Sequence, residues 1–282
     1  MLRGVAAGAL AGVLAFLFTR IMVEPVIESS INYQTGRDAV EVTLRKAAGL
    51  APNAPGPDIF SRAVQRNVGA SLGLLVFGIA LGALFAVLYT LAHRGYGDAL
   101  SPRVLALLIA ALGFLAIYMV PYLKYPANPP AIGHPDTINT RGQFYLAMVA
   151  ISIVSVTAAV IAARRLTGRI GAWNAAIVAL LGCVVWIAIV IAILPPIGHL
   201  HANRVQFGNF ATETPQPLKN AHGQIVYPGF PADVLFKFRL YSVINQMILW
   251  VTIGLGFGYL AERMLTPVRR AAPASASGPS RA

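Results

Sequence analysis

The histidines of this 282-residue chain are concentrated in two connecting segments rather than spread along it. His199-Leu200-His201 directly follows Pro195 and Pro196. Prolines favour an extended chain, in which residues two apart lie on the same face. Two imidazoles on one face can begin a site for a borderline divalent cation. We therefore predict that His199 and His201 capture a metal ion.

Further ligands for such an ion are present elsewhere in the chain. Glu24 and Glu28 are one helical turn apart, and His134 lies in another connecting segment. Imidazole and carboxylate together suit cobalt, nickel, zinc or manganese, whereas a single cysteine, Cys183, argues against copper(I). The alternative is that the loop histidines are simply solvated and that Glu24 pairs with Arg20. The predicted metal ligands are His199, His201, His134, Glu24 and Glu28.

Six continuous apolar runs must position these residues. With 57% hydrophobic and 11% charged residues, the chain has too few polar residues to cover a soluble globule. Each run reaches about 20 residues, the length that crosses ~30 Å of hydrocarbon, and continuous apolar character favours helices over barrel strands. We predict an all-α fold, a polytopic membrane helix bundle with spans near residues 4–23, 68–92, 102–123, 142–163, 172–196 and 236–260.

The distribution of charge predicts how the bundle is oriented. The net charge of +12 comes from bases at the ends of runs and in connections, which is typical of membrane anchors and not of a nucleic-acid partner. Bases dominate the short connections after the second and fourth runs, whereas the other connections are longer and hold most of the acids. The positive-inside rule predicts three hairpins with both termini in the cytoplasm. Residues 1–265 form the predicted transmembrane domain and residues 266–282 a disordered cytoplasmic tail.

Prolines and aspartates punctuate the three predicted outer connections in the same order. Each odd-numbered run ends at a proline step, and proline predicts that the helix stops there. Each connection then closes with an aspartate followed by a base, which predicts a helix cap or a structural gate. The threefold recurrence leaves a second interpretation open, parallel repeats about an axis along the membrane normal. The prolines are Pro25, Pro121 and Pro195, and the aspartates are Asp58, Asp136 and Asp233.

Small residues recur at helical spacing in three of the runs. Such ridges let backbones approach closely, either within one chain or between chains. They therefore predict close helix packing without deciding the oligomeric state. The ridges are Gly4, Gly8 and Gly12; Gly69 and Gly73; Gly78 and Gly82; and Gly254 and Gly258.

One segment carries a family resemblance. The stretch from Tyr122 to Thr137, YLKYPANPPAIGHPDT, followed by Arg141 and Tyr145, resembles the central loop of the CbtA family, predicted cobalt transporter subunits of bacteria. The Met22-Val23-Glu24-Pro25 and Leu194-Pro195-Pro196 steps are similar to the same family. The resemblance implies an inner-membrane protein for cobalt uptake linked to cobalamin supply. It also implies a CbtB partner, a small single-helix protein with a histidine-bearing end, and usually five spans where this sequence predicts six.

The sequence therefore predicts a membrane transporter subunit for a divalent cation, with cobalt as cargo and lipid as its surroundings. The alternative is a non-transporting membrane scaffold or a metal-binding subunit of a larger complex. Walker and HExxH motifs are absent from the sequence, so neither ATP-driven transport by this chain alone nor metal-dependent hydrolysis is indicated. We predict that the chain is not an enzyme and holds no cofactor beyond a bound or transported metal.

Overall fold

The computed structural model describes residues 1–51, 60–97, 99–208 and 212–265. Within these residues, six helices are long and apolar enough to cross a membrane, which confirms the predicted helical membrane bundle. Asp58, Asp98 and the predicted tail 266–282 lie outside the described residues. The first to sixth long helices are Leu2–Ala47, Arg62–Tyr96, Pro102–Lys124, Ile138–Ile170, Ala172–Ile193 and Ala232–Leu265.

Short π-helical turns interrupt the first three long helices, at Thr19–Val23, Gln65–Gly69 and Phe114–Met119. The first and third of these turns come directly before Pro25 and Pro121. A π turn shifts the backbone hydrogen bonding, so each proline falls in the first turn of a new α-helical segment, where its missing N–H is tolerated. The first long helix continues to Ala47, so the prediction that it stops at Pro25 is wrong. The third ends at Lys124, one residue beyond its predicted end at residue 123. The fifth long helix does end before Pro195, at Ile193.

The first and second long helices pack backbone against backbone through glycines. A Cβ atom at Gly4, Gly8 or Gly12 would lie closer than 3.0 Å to a backbone carbonyl oxygen of the second long helix. The facing glycines, Gly78 and Gly82, are equally restricted by the first helix. Small residues drive such contacts in lipid because the hydrophobic effect does not. These two predicted ridges are thus used for packing within the chain, whereas a Cβ at Gly69 or Gly73 would meet no other helix within 4 Å among the described residues.

The sixth long helix packs between the first and the third. Phe85, Leu249, Trp250, Ile253 and Phe257 fill the core where the helices meet. The ring of Trp250 covers Gly113, and Ala110 lies against Gly254, so this contact also depends on small residues. The sixth helix therefore ties the two halves of the sequence together.

The fourth and fifth long helices form a second unit beside the C-terminal part of the third. Met148, Ile187, Val190 and Tyr125 make its buried core. Trp186 donates a hydrogen bond to Ser155 Oγ at 3.1 Å, which links the two helices in a polar contact. The fourth and fifth long helices therefore position two connections, the one that precedes them after Lys124 and the one that follows them after Ile193.

The connections predicted to lie outside gather at one end of the bundle, which we call the loop-rich end. It contains the helical extension Glu24–Ala47, the connection between Lys124 and Ile138, and the connection between Ile193 and Ala232. The last of these includes the 3-10 turn Ile197–His199 and the short helix His201–Phe207. Its strands Leu218–Lys219 and Ile225–Tyr227 pair antiparallel as β1 and β2.

The small hairpin of β1 and β2 lies against the extension of the first long helix. Tyr227 donates its hydroxyl to the Tyr33 carbonyl, and Tyr33 donates to the Pro228 carbonyl, both at 2.9 Å. Arg37 donates to the Gln216 carbonyl at 2.6 Å. The described part of the last connection is therefore fixed to the first long helix.

Candidate functional site

Glu24 and Glu28 share one partner, Arg62, at the start of the second long helix. Arg62 Nη2 lies 2.5 Å from Glu24 Oε1, and Nε lies 3.4 Å from Glu28 Oε2. Glu24 is buried, with 6% of its surface exposed. Arg20, the partner considered from the sequence, instead donates to Asn67 Oδ1 at 3.2 Å. The guanidinium of Arg62 thus already occupies the space between Glu24 and Glu28, two of the five predicted metal ligands.

His134 caps the turn that precedes the fourth long helix. Its Nδ1 accepts the backbone N–H of Asp136 at 3.1 Å, and the turn Pro135–Thr137 follows. The side chain of Asp136 is 82% exposed, so the capping role predicted for the aspartate belongs to the histidine. Asp233 lies in the first turn of its helix and pairs with Lys237 at 3.3 Å. A carboxylate in that position interacts favourably with the positive end of the helix dipole.

His199 and His201 are both exposed at the loop-rich end. His199 ends a 3-10 turn and His201 begins a short helix, so only Leu200 between them is extended. The extended stretch that the sequence predicted to align the two imidazoles is therefore absent from this described segment. Their role as metal ligands stays a prediction.

The structure brings the histidine-bearing elements partly together. The turn that follows His134 packs against the helix that begins at His201, whereas Glu24 and Glu28 are held by Arg62. Within the described ranges, no group of three or more His, Cys, Asp or Glu side chains is arranged to hold a metal ion. The five predicted ligands therefore do not form one assembled site in this conformation.

Glu213 is the acid that connects these elements, and the sequence did not single it out. Only 11% of its side chain is exposed. Its Oε1 accepts a hydrogen bond from Asn203 Nδ2 at 3.2 Å. It also lies 3.3 Å from Thr137 Oγ1, whose hydroxyl donates to the His134 carbonyl at 2.7 Å. Its Oε2 accepts from Asn128 Nδ2 at 3.1 Å and lies 3.5 Å from Arg141 Nη1. One carboxylate thus joins the connection before the fourth long helix, that helix itself and the short helix after His201.

Two cavities lie on either side of Glu213. One, of about 270 Å³, is also lined by Lys124, Thr212 and Arg239. The other, of about 500 Å³, extends along Tyr118, Tyr122, Tyr145 and Arg141. Tyr125, Asn128 and Glu213 line both.

The walls of these cavities are fixed by hydrogen bonds. Tyr125 donates its hydroxyl to the Pro195 carbonyl at 3.0 Å, and burial raises the pKa of Tyr125, so the phenol stays a donor. Arg239 donates to Asn128 Oδ1 at 2.9 Å, and Lys124 donates to the Ile191 carbonyl at 2.8 Å. The region around the two cavities therefore contains one carboxylate, Glu213, and three cationic side chains. These are Lys124, Arg141 and Arg239, and their hydrogen-bond partners other than Glu213 are mostly neutral.

A comparison with protein families identifies the class of this chain. The family described as "Probable cobalt transporter subunit (CbtA)" matches residues 1–262. The chain belongs to the CbtA family. Neither the curated proteins nor the solved structures contain a match. The six long helices and the family description together identify a multi-pass membrane protein of a cobalt transporter.

The CbtA description also bears on the other sequence predictions. It names a subunit of a transporter, which implies a partner and is not an enzymatic role. The matched range includes every predicted metal ligand and Glu213. A signal for Glu213 was available in the sequence, since it is the only acid between Pro196 and Asp233.

Proposed function

We propose that this CbtA protein is the membrane subunit that moves Co²⁺ inward across the bacterial inner membrane and so supplies cobalamin synthesis. The family match over residues 1–262 carries this proposal. The six long helices supply the membrane domain, and an ion pair of Arg103 with Glu262 lies at the opposite end of the bundle. Arg3 and Met264 meet at that opposite end, which we assign to the cytoplasm by the positive-inside rule.

The loop-rich end is the receiving face in this proposal. His199 and His201 are exposed there and are the first ligands that a hydrated cation meets. His134 and the pair Glu24 and Glu28 are the helpers, since imidazole and carboxylate are ligands that Co²⁺ accepts. These ligands must rearrange to bind together, because Arg62 holds the glutamates and Asp136 engages His134.

The second candidate is a non-transporting scaffold or metal-binding subunit of a larger complex. Two observations favour it: the family description names a subunit, and the described residues hold no assembled cluster of metal ligands. In both proposals the partner is a small single-span protein of the CbtB type with a histidine-bearing end. The two proposals differ in whether this chain moves cobalt by itself.

Influx measurements separate the two candidates. We expect purified protein in liposomes loaded with a cobalt-sensitive dye to admit Co²⁺ faster than protein-free liposomes do. Influx that requires the single-span partner would assign transport to the complex. Rates equal to those of protein-free liposomes, with and without the partner, would favour the scaffold.

The histidine pair is tested by a double variant. We expect His199→Ala/His201→Ala to bind Co²⁺ roughly tenfold more weakly in calorimetric titration, because two imidazole ligands are removed. His222→Ala is the matched control, since this histidine is also exposed in the same connection and was not assigned to the site. Equal affinities of the double variant and the wild type would remove His199 and His201 from the site.

A further inference from the structure

Two cations of the loop-rich end, Lys124 and Arg239, make no ion pair with an acid among the described residues. Both are partly buried, and both line the cavity of about 270 Å³, the smaller of the two cavities described above. Lys124 donates to the Ile191 carbonyl at 2.8 Å, and Arg239 donates to Asn128 Oδ1 at 2.9 Å. These acceptors are neutral, and a partly buried cation is costly to keep without an opposite charge.

Glu213 does not neutralise both of these cations. It is the one acid that lines the smaller cavity within the described residues, and a third cation, Arg141, lies 3.5 Å from it along the larger cavity. Its oxygens also accept hydrogen bonds from the amides of Asn203 and Asn128. One carboxylate is therefore shared by three cations. Two of the three positive charges have no acidic partner in the described part of the chain.

The lining of the smaller cavity also offers hydrogen-bond donors. Lys124 uses one of its N–H groups and Arg239 uses two, on neutral oxygens, so most of their donors have no acceptor among the described residues. The hydroxyls of Thr212 and Thr214 lie 2.7 Å apart, and either one can donate to the other. Whichever donates, the other keeps an O–H for a further acceptor. Ammonium, guanidinium and hydroxyl donors together favour an anion that carries several oxygens.

The size and depth of the smaller cavity suit a phosphate group. One water takes about 30 Å³ of liquid volume, so about 270 Å³ holds a tetrahedral oxyanion with a few waters. Lys124 ends the third long helix, and Arg239 lies about two turns inside the sixth. Cationic side chains near the ends of membrane helices reach the level of the lipid headgroups. Free phosphate and the phosphodiester of a phospholipid both have the required chemistry.

We propose that Lys124 and Arg239 bind a phosphate group in the smaller cavity, with the hydroxyl pair of Thr212 and Thr214 as a further donor. The bound anion supplies the negative charge that the two cations lack. It joins the third long helix, the sixth long helix and the last connection, because each of these elements contributes to the lining. Glu213 opposes binding, since like charges repel, and so limits the affinity.

Titration with inorganic phosphate tests this site. We expect full-length protein in dodecyl maltoside to bind phosphate, and Lys124→Gln and Arg239→Gln to bind it roughly tenfold more weakly, because each removes one of the two charges. Glu213→Gln should bind it several-fold more tightly, because the repelling carboxylate is gone. Lys237→Gln is the matched control and should leave the affinity unchanged, since Lys237 is exposed and pairs with Asp233. Isothermal calorimetry measures these affinities.

A soluble phospholipid separates the two sources of the phosphate group. Dihexanoyl phosphatidylglycerol presents an anionic phosphodiester at the depth of a headgroup. If it binds more tightly than inorganic phosphate and loses affinity in Lys124→Gln, the site takes a lipid headgroup. If phosphate binds and the lipid does not, the site takes the free anion. Either result supports a phosphate site at Lys124 and Arg239.

Two results would overturn the phosphate site. One is wild-type protein that binds neither probe, and the other is folded Lys124→Gln and Arg239→Gln variants that bind as tightly as the wild type. The second result would show that both cations are structural, since it changes stability without affinity. If Arg239→Gln does not purify as a folded protein, Lys124→Gln compared with Lys124→Arg carries the test, because only arginine keeps the charge and should remain close to the wild type.

Anion binding and cobalt transport are tested independently. The titrations contain no Co²⁺, so failure to bind phosphate leaves the proposed function untouched. A failure of Co²⁺ influx likewise leaves the phosphate site untouched.

Discussion

Replacing Arg62 with glutamine should lower the free energy of unfolding by about 3 kcal/mol, because the buried Glu24 carboxylate loses its cation. Glu24 has 8% of its side-chain surface exposed, so water cannot replace Arg62 fully. Glu28 is 44% exposed and contributes little to the loss. Denaturant titration in mixed micelles, followed by tryptophan fluorescence, measures the change.

The matched control for Arg62 is Lys237→Gln. Lys237 also pairs with a carboxylate at the loop-rich end, at 3.3 Å from Asp233, but both side chains are more than half exposed. Its loss should therefore change stability by no more than about 0.5 kcal/mol. Equal effects of the two substitutions would show that burial of Glu24 is not what makes the Arg62 contact important.

A Gly8→Ala variant should be about 2 kcal/mol less stable than the wild type. The added Cβ would lie closer than 3.0 Å to the Gly78 carbonyl oxygen, which is backbone and cannot rotate away. The first and second long helices must separate to accommodate it, which weakens the contacts along the whole interface. The same micelle titration is suitable here.

Gly73→Ala is the corresponding control on the second long helix. A Cβ there meets nothing within 4 Å, so only the intrinsic helix preference changes. Alanine is up to about 1 kcal/mol better than glycine in a helix, and Gly73→Ala should be neutral or mildly stabilising. A Gly8→Ala variant as stable as Gly73→Ala would contradict the glycine-mediated packing.

The membrane fold could be predicted because it depends on the most regular signals in the sequence. Continuous apolar runs set the number of long helices, and the spacing of Gly4, Gly8 and Gly12 indicated close packing. Pro25 misled the prediction, because proline lacks a donor whether it ends a helix or follows a π turn. No local sequence feature distinguishes these two cases.

The polar contacts could be predicted only in part. Glu24 was correctly selected as a noteworthy acid, but its partner is Arg62 and not the local Arg20. A sequence shows neighbours along one helix, whereas Arg62 meets Glu24 through the packing of two helices. Glu213 was missed for the same reason, since its four partners come from three separate segments.

The most direct test of the account is the rate of Co²⁺ influx into liposomes that contain the wild type or no protein. The proposed function predicts a wild-type rate well above that of protein-free liposomes. A wild-type rate no higher than that of protein-free liposomes, with the single-span partner present, would contradict the claim that this CbtA chain carries cobalt inward.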